Sequence, residues 1–374
     1  MSWSFISPSV KDLGQVVILA FLLFSLSCDT VENETFVAED VTGLKIAFLS
    51  RRIDGSADWL LYVMNSDGSD QELVTDVSLR YQHISISPNA QNIAFVQSTE
   101  SSDELYIVNL LTKQLRLIAE HPRFCRSPVW SPLGDKIAFV RSRDETSSER
   151  DFHEIHVIDV EGGSEIVLKV SGSSSNPSWS PDGRAIAFSV EGRDLVSDSV
   201  DNGIYTASAD GSNIYQIVGY GRSPEWSPNG EKIAFTSTKT GNTQIYVMNP
   251  DGTEVRQLTD SIGPGGSTGY PPPGNHSPAW SPDSRMIAYV SYPEDNPDIF
   301  SMKADGSKKK RLTNPTLRDE SPAWSPLGDY ILFSSNRNLD MDAEIYIMHH
   351  DGSEQRPLTY YSREDVLPVW LYAQ

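Results

Sequence analysis

Cysteine is scarce in this chain, with Cys28 and Cys125 the only two among 374 residues. A fold of this length is therefore not stapled by disulfides and must draw its stability from packing. Bases are scarce as well: 30 Lys and Arg face 51 Asp and Glu, a formal net charge of −21. Such a chain repels phosphate backbones, which argues against nucleic acid as a partner. The sole basic run, Lys308-Lys309-Lys310-Arg311, follows the turn signal Asp305-Gly306. It reads as a solvated outer-strand edge, where lysines guard against pairing with another chain. The apolar run Val16–Leu26 has 11 residues, too few for a helix to span a bilayer. Catalytic signatures are thin. No nucleophile elbow set between strand and helix, no His-Glu-x-x-His, Cys-x-x-Cys or P-loop, and no EF-hand loop is present. No cofactor and no metal site is expected.

What the chain has instead is repetition. Tryptophan recurs at Trp130, Trp179, Trp226, Trp280, Trp324 and Trp370, at intervals of 49, 47, 54, 44 and 46 residues. Five of the six sit in a Pro-x-Trp-Ser-Pro frame. An Ile-Ala-Phe-type run recurs seven times, beginning at Ile46, Ile93, Ile137, Ile186, Ile233, Ile287 and Ile331. A third apolar run follows each, with Tyr62, Tyr106, His156, Tyr205, Tyr246, Phe300 or Tyr346 at its aromatic position. Asp-Gly turn signals and a weaker strand close the unit, as in Asp351-Gly352 and Leu358-Thr359. Four short strands per 40–50 residues cannot bury both faces alone, and this period marks a β-propeller blade.

The ends predict how the ring closes. The first copy, Leu44–Thr75, has no Pro-x-Trp strand before it, and Leu367-Pro368-Val369-Trp370 supplies one at the chain end. The fold expected over residues 44–374 is thus an all-β, seven-bladed propeller of four-stranded antiparallel blades, one blade built from both termini. The second copy, Ile84-Ser85-Ile86-Ser87-Pro88, keeps Ser-Pro and loses the tryptophan.

The frame Ser-Pro-x-Trp-Ser-Pro-x-Gly, Ile-Ala-Phe, Ile-Tyr-Val-Met-Asn, Asp-Gly, Leu-Thr resembles the WD40-like propeller repeat of the TolB family. The resemblance implies a bacterial envelope protein that binds protein partners without catalysis. The Tol-system TolB protein carries an α/β domain ahead of a six-bladed propeller. Here 15 residues, Asp29–Gly43, separate Cys28 from the first blade. Residues 1–28 read as a signal segment ending in Ser25-Leu26-Ser27-Cys28, which resembles a lipobox and makes Cys28 the expected lipidation site. Residues 29–43 read as an acidic tether, with five acids and no base in Asp29–Asp40. A monomeric, membrane-anchored propeller, periplasmic or extracellular, is expected.

Short turns fall on one face of the disk. The variable loops Arg141–Phe152, Glu191–Gly203, Asp260–Asn275 and Asn336–Ala343 fall on the other, where binding is expected. Arg126, Asn176, Arg222, His276 and Glu320 precede the inner strands' tryptophan frames and are expected to ring the channel mouth. Two arginines, a histidine and a glutamate converging there suit a carboxylate or a peptide terminus. The partner expected is a protein or an envelope polymer. The alternative is an enzyme, because oligogalacturonate lyases resemble this propeller and use a channel-mouth metal held by histidines. That reading needs His83, His121 and His276 to meet across the channel. His156, at the repeated Tyr position, reads as a core residue.

Overall fold

The computed structural model describes residues 43–52, 59–79, 83–99, 101–121, 125–143, 152–192, 202–260, 274–292, 296–313, 318–337, 342–360 and 363–372. Cys28 and all residues before Gly43 lie outside the described residues, as does 261–273 of the Gly/Pro-rich loop. The described strands form seven four-stranded antiparallel sheets, and the expected architecture holds. Blade 1 sets Asp365–Leu371 beside Lys45–Ser50, with Ile46 opposite Trp370, so strands from the two ends of the chain share one sheet. Seven hydrophobic clusters fill the seven blade interfaces. One of them joins blade 7 to blade 1 through Leu332, Ile345 and Ile347 against Ile46, Phe48 and Trp370. The ring is closed.

The Ile-Ala-Phe run explains the stacking. Alternation along a strand sends Ile and Phe to one face and Ala to the other. In blade 3, Ile137 and Phe139 pack toward blade 2, whereas Ala138 packs toward blade 4 with Trp179. Each large ring therefore meets a small partner across the interface. The Phe is stacked in register on the third-strand aromatic, as in Phe48–Tyr62 at 5.7 Å and Phe235–Tyr246 at 5.4 Å between centroids. His156 takes that place opposite Phe139 at 5.7 Å, buried as expected. Indole N–H groups tie blades together. Trp179 donates to the Val129 carbonyl at 3.1 Å, Trp324 to Ala279 at 3.0 Å and Trp370 to Ala323 at 3.2 Å.

Two turns recur on one face. Between the first and second strands, Ser180 Oγ donates to Asp182 at 2.6 Å and Gly183 sits at φ +70°. Between the third and outer strands, Gly252 N–H donates to Asn249 at 3.0 Å, while Asp251 accepts from the Thr253 amide and hydroxyl. This is a turn followed by a left-handed glycine, the three-residue hairpin form. It also clasps its neighbour: a Cβ on Gly68 would stand 2.6 Å from the Leu358 carbonyl oxygen of blade 7. Gln71 and Gln355 extend the clasp, each donating to its own hairpin glycine carbonyl and to a leucine carbonyl of the preceding blade. The chain enters blade 1 on this same face, with Ser66 N–H donating to Leu44 O at 3.0 Å beside the Asp67–Gly68 hairpin.

The basic run sits at the edge of blade 6. Its two-residue outer strand is Lys310–Arg311, with Lys310 bonded to the Asp351 carbonyl and Arg311 to Asp298.

Candidate functional site

Six of the seven inner strands carry one distortion on their approach to the channel mouth. The residue before proline lies in the left-handed region at Ser127, Asn176, Ser223, Ser277, Ser321 and Leu367, with φ between 50° and 58°. The strand register shifts at each of these points, for example between Arg222 and Glu225. Such a bulge re-aims the preceding side chain, and a short hydroxyl or amide tolerates the conformation better than a bulky one does. Buried carboxylates brace this rim from beneath. Asp319 pairs with Arg337 at 2.8 Å and Asp365 with Arg52 at 2.6 Å, the guanidinium groups lying 4.8 Å over Tyr346 and 4.9 Å over Tyr62. Removing one partner of such a pair strands a buried charge, so the rim is held stiffly.

A hollow of about 990 Å³ opens across blades 4 to 7 on the loop face, and Arg222, His276 and Glu320 all line it. Arg222 Nε is 3.1 Å from Glu191, and Arg318 Nη2 is 2.7 Å from Glu320. Lys239 Nζ lies 4.0 Å over the Tyr220 ring. His276 Nδ1 is hydrogen-bonded to Ser277 Oγ at 2.9 Å and its ring lies 5.4 Å from Tyr292. Its buried Nε2 has no hydrogen-bond partner among the described residues. Burial lowers the His276 pKa, Glu320 opposes that and Arg318 adds to it, so the ring is neutral at neutral pH. A smaller hollow of about 360 Å³ shares Arg318, Glu320 and Ser321 and continues to Trp59 and Glu364. There Arg51 pairs with Glu364 at 2.8 Å and lies 4.1 Å over Trp59. On a chain of charge −21, the larger hollow gathers three cations against two carboxylates.

The structure thus brings three of the five expected mouth residues together. Arg126 lies on the blade 2–3 side, where burial of His83 lowers that ring's pKa and the Arg126 charge adds to the effect. Asn176 occupies the left-handed bulge, one residue past the position equivalent to Arg126, which in blade 4 is Ser175. Glu191 opens the variable loop Glu191–Gly203 expected to bind, whereas Lys239 and Arg318 were not singled out, since they come from the end of a second strand and from the approach to blade 7. The pair Arg318-x-Glu320, flanking the start of a tryptophan frame, was the available signal.

The histidine constellation does not assemble. His121 closes the outer strand of blade 2, is 3% exposed, and lies 3.3 Å from Glu165 in the blade 2–3 interface rather than at the mouth. Among the described residues no three His, Cys, Asp or Glu side chains are grouped to hold a metal. The letters of a Gly-x-Ser-x-Gly string do occur at Gly265–Gly269, which lies outside the described residues. A separate hollow of about 640 Å³ lies on the turn face beside Pro88, Leu133 and Trp130, next to the blade that lacks its tryptophan.

Seven four-stranded blades carrying a tryptophan repeat, with a charged hollow at one mouth, define a WD40-like β-propeller protein. Its sequence matches the TolB beta propeller domain over residues 39–217, 146–268 and 272–373, and the chain belongs to that family. It is 26% identical over 207 residues to an uncharacterised protein of Agrobacterium fabrum, covering 51% of this chain and 60% of that protein. It is 30% identical over 123 residues to a TolB homolog of Chlorobaculum tepidum, covering 33% of this chain and 25% of the relative. The chain thus spans less than two thirds of the length of these relatives. Among solved structures, TolB from Acinetobacter baumannii superposes with a TM-score of 0.52 at 20% identity, covering 87% of this chain and 82% of that one. An oligogalacturonate lyase in complex with manganese gives 0.59 at 16% identity, covering 74% and 79%. Likeness at these identities concerns the fold.

Proposed function

We propose that this chain is a non-catalytic binding propeller of the bacterial cell envelope, anchored through a lipidated Cys28 and engaging a protein or envelope polymer at its loop-face mouth. The observation that carries this reading is the hollow across blades 4 to 7, where Arg222, Lys239 and Arg318 stand against Glu191 and Glu320. Guanidinium groups already held in ion pairs present fixed donors, which suits carboxylates of a partner chain better than mobile lysines would. Membership of a family whose relatives include a TolB homolog supports an envelope role. Cell fractionation and site-specific photocrosslinking in living cells test the reading together. A photoreactive residue at Ser321 or Lys239 should give a discrete high-mass adduct, whereas one at Asp182 on the turn face should not. The Cys28→Ser variant should leave the membrane fraction. Adducts at Asp182 alone, or a variant that stays membrane-bound while its signal segment is cleaved, would refute it.

A further inference from the structure

The turn face carries an acidic crown with one gap. In six blades the hairpin between the third and outer strands sets an acid before its glycine: Asp67, Glu161, Asp210, Asp251, Asp305 and Asp351. In blade 2 the same place holds Leu111. The equivalence is structural, since the Leu110 amide donates to the Gln91 carbonyl as the Val160 amide does to Asp135 and the His350 amide to Asp329. Leu111 is 89% exposed, more than any other large apolar side chain among the described residues. Its hairpin lines the turn-face hollow of about 640 Å³ through Asn109, Thr112 and Gln114, and exposed Leu133 and Glu161 of blade 3 line it too. The seam beneath this hollow is loosely clasped. A Cβ on Gly162 would stand 3.7 Å from the Ile118 carbonyl oxygen, against 2.6, 2.2 and 2.9 Å for Gly68, Gly252 and Gly352 at their own seams.

An isologous two-fold interface sets one patch against its own copy, so that patch must hold both a knob and a hollow. This one does. We propose that the blade 2–3 sector of the turn face pairs with the same sector of a second copy, each Leu111 entering the other's hollow. Charge decides where two such chains can meet. Each carries a formal charge of −21, and a two-fold contact centred on any other hairpin sets acid against acid. At the gap the polar neighbours are balanced instead, with Lys113 3.2 Å from Glu72 and Arg116 3.7 Å from Glu161. Arg116 and Glu161 border the hollow together, so the two-fold axis lets each take its opposite on the second copy. An exposed apolar patch rimmed by polar groups marks an interaction surface. The monomer expected from the sequence then gives way to a dimer that leaves both loop faces free. A long partner can engage two mouths at once, with the gain in avidity of a linked pair.

The test co-expresses two differently tagged copies of the full-length chain in living cells, one carrying a photoreactive residue at Thr112. The expected adduct has the mass of two chains and carries both tags, and a photoreactive residue at Asp305 gives none. Leu111→Asp completes the acidic crown. Introduced in both copies, it should cut the two-tag adduct at least about tenfold, because pairing would bury an unpaired charge. Its melting should match the parent's, since Leu111 is a surface residue. Sedimentation of the purified chain adds a second readout. The dimer dissociation constant should fall about threefold or more between 50 and 500 mM sodium chloride, because salt screens the repulsion of two acidic chains. No two-tag adduct, adducts to other proteins only, or a two-tag adduct undiminished in Leu111→Asp overturns the proposal. So does a dimer that weakens as salt rises. If Leu111→Asp melts far below the parent, Leu133→Asp carries the test in its place, with the same loss expected and an undiminished adduct overturning it. A two-tag adduct is distinct from any adduct to a partner at the mouth, so the two readings fail separately.

Discussion

Asp351 shows how much of this ring rests on single side chains. It accepts from both the amide and the hydroxyl of Ser353, and these bonds, with His349 nearby, hold its carboxyl below the usual aspartate value of 3.8. Asp67, Asp210, Asp251 and Asp305 repeat the arrangement and are lowered for the same reason. A carboxyl whose pKa falls on folding contributes stability above its unfolded value, and that contribution is lost as pH falls through the folded value. Asp351→Asn should therefore lower Tm at pH 7 by about 1–2 °C. The gap to the parent should close on acidification below the ordinary aspartate range. A melting series from pH 7 down to pH 3 checks this, and a gap that widens in acid contradicts it. The left-handed residue before proline is a second device at this scale. It was not legible in the sequence because Ser-Pro reads as ordinary turn chemistry. Asn176 stands at the serine position of its own frame, Asn176-Pro177-Ser178-Trp179, so it takes the bulge itself and the residue equivalent to Arg126 is Ser175.

At the scale of strands and blades the sequence was far more informative. Ile-Ala-Phe alternates by the pleat, so its repetition alone places large rings against small partners at each interface. The missing inner strand of the first copy and the surplus at Trp370 likewise read directly as one shared sheet. Side-chain meetings between blades were not legible, because residues far apart in sequence set them. His121 belongs to an outer strand long enough to carry it into the blade 2–3 interface, where it meets Glu165 of the next blade. The variable loops make the prediction proper to this scale. Excising Gly263–Gly274, nearly all of it outside the described residues, should leave the ring folded. It returns the 54-residue interval between Trp226 and Trp280 to about the common period, and a surface insertion costs little loop entropy. Circular dichroism and a cooperative melt within a few degrees of the parent's are expected. A broad or absent transition would show that the loop is structural.

For the molecule as a whole, seven interfaces share the load and none is backed by a disulfide, since Cys125 is buried and free. Trp370 sits where closure is decided. It is 3% exposed, packs between blades 7 and 1, and donates to the Ala323 carbonyl. Trp370→Ala should cost about 3–5 kcal/mol, measured as a shift of the urea midpoint at constant slope. A loss under 1 kcal/mol would mean that the ring does not depend on this strand. The same closure bears on force. The strand Lys45–Ser50 is the first that the upstream chain meets, and it is paired along both edges, six residues against Trp59–Asn65 and five against Asp365–Leu371. A pull applied along the axis of this strand loads both ladders in shear and stretches their hydrogen bonds together rather than one after another. With the disk moored through Cys28 as proposed, drag from a partner would be borne by the seam that joins the two ends of the chain, and the rupture rate of that seam would set how long the ring survives tension.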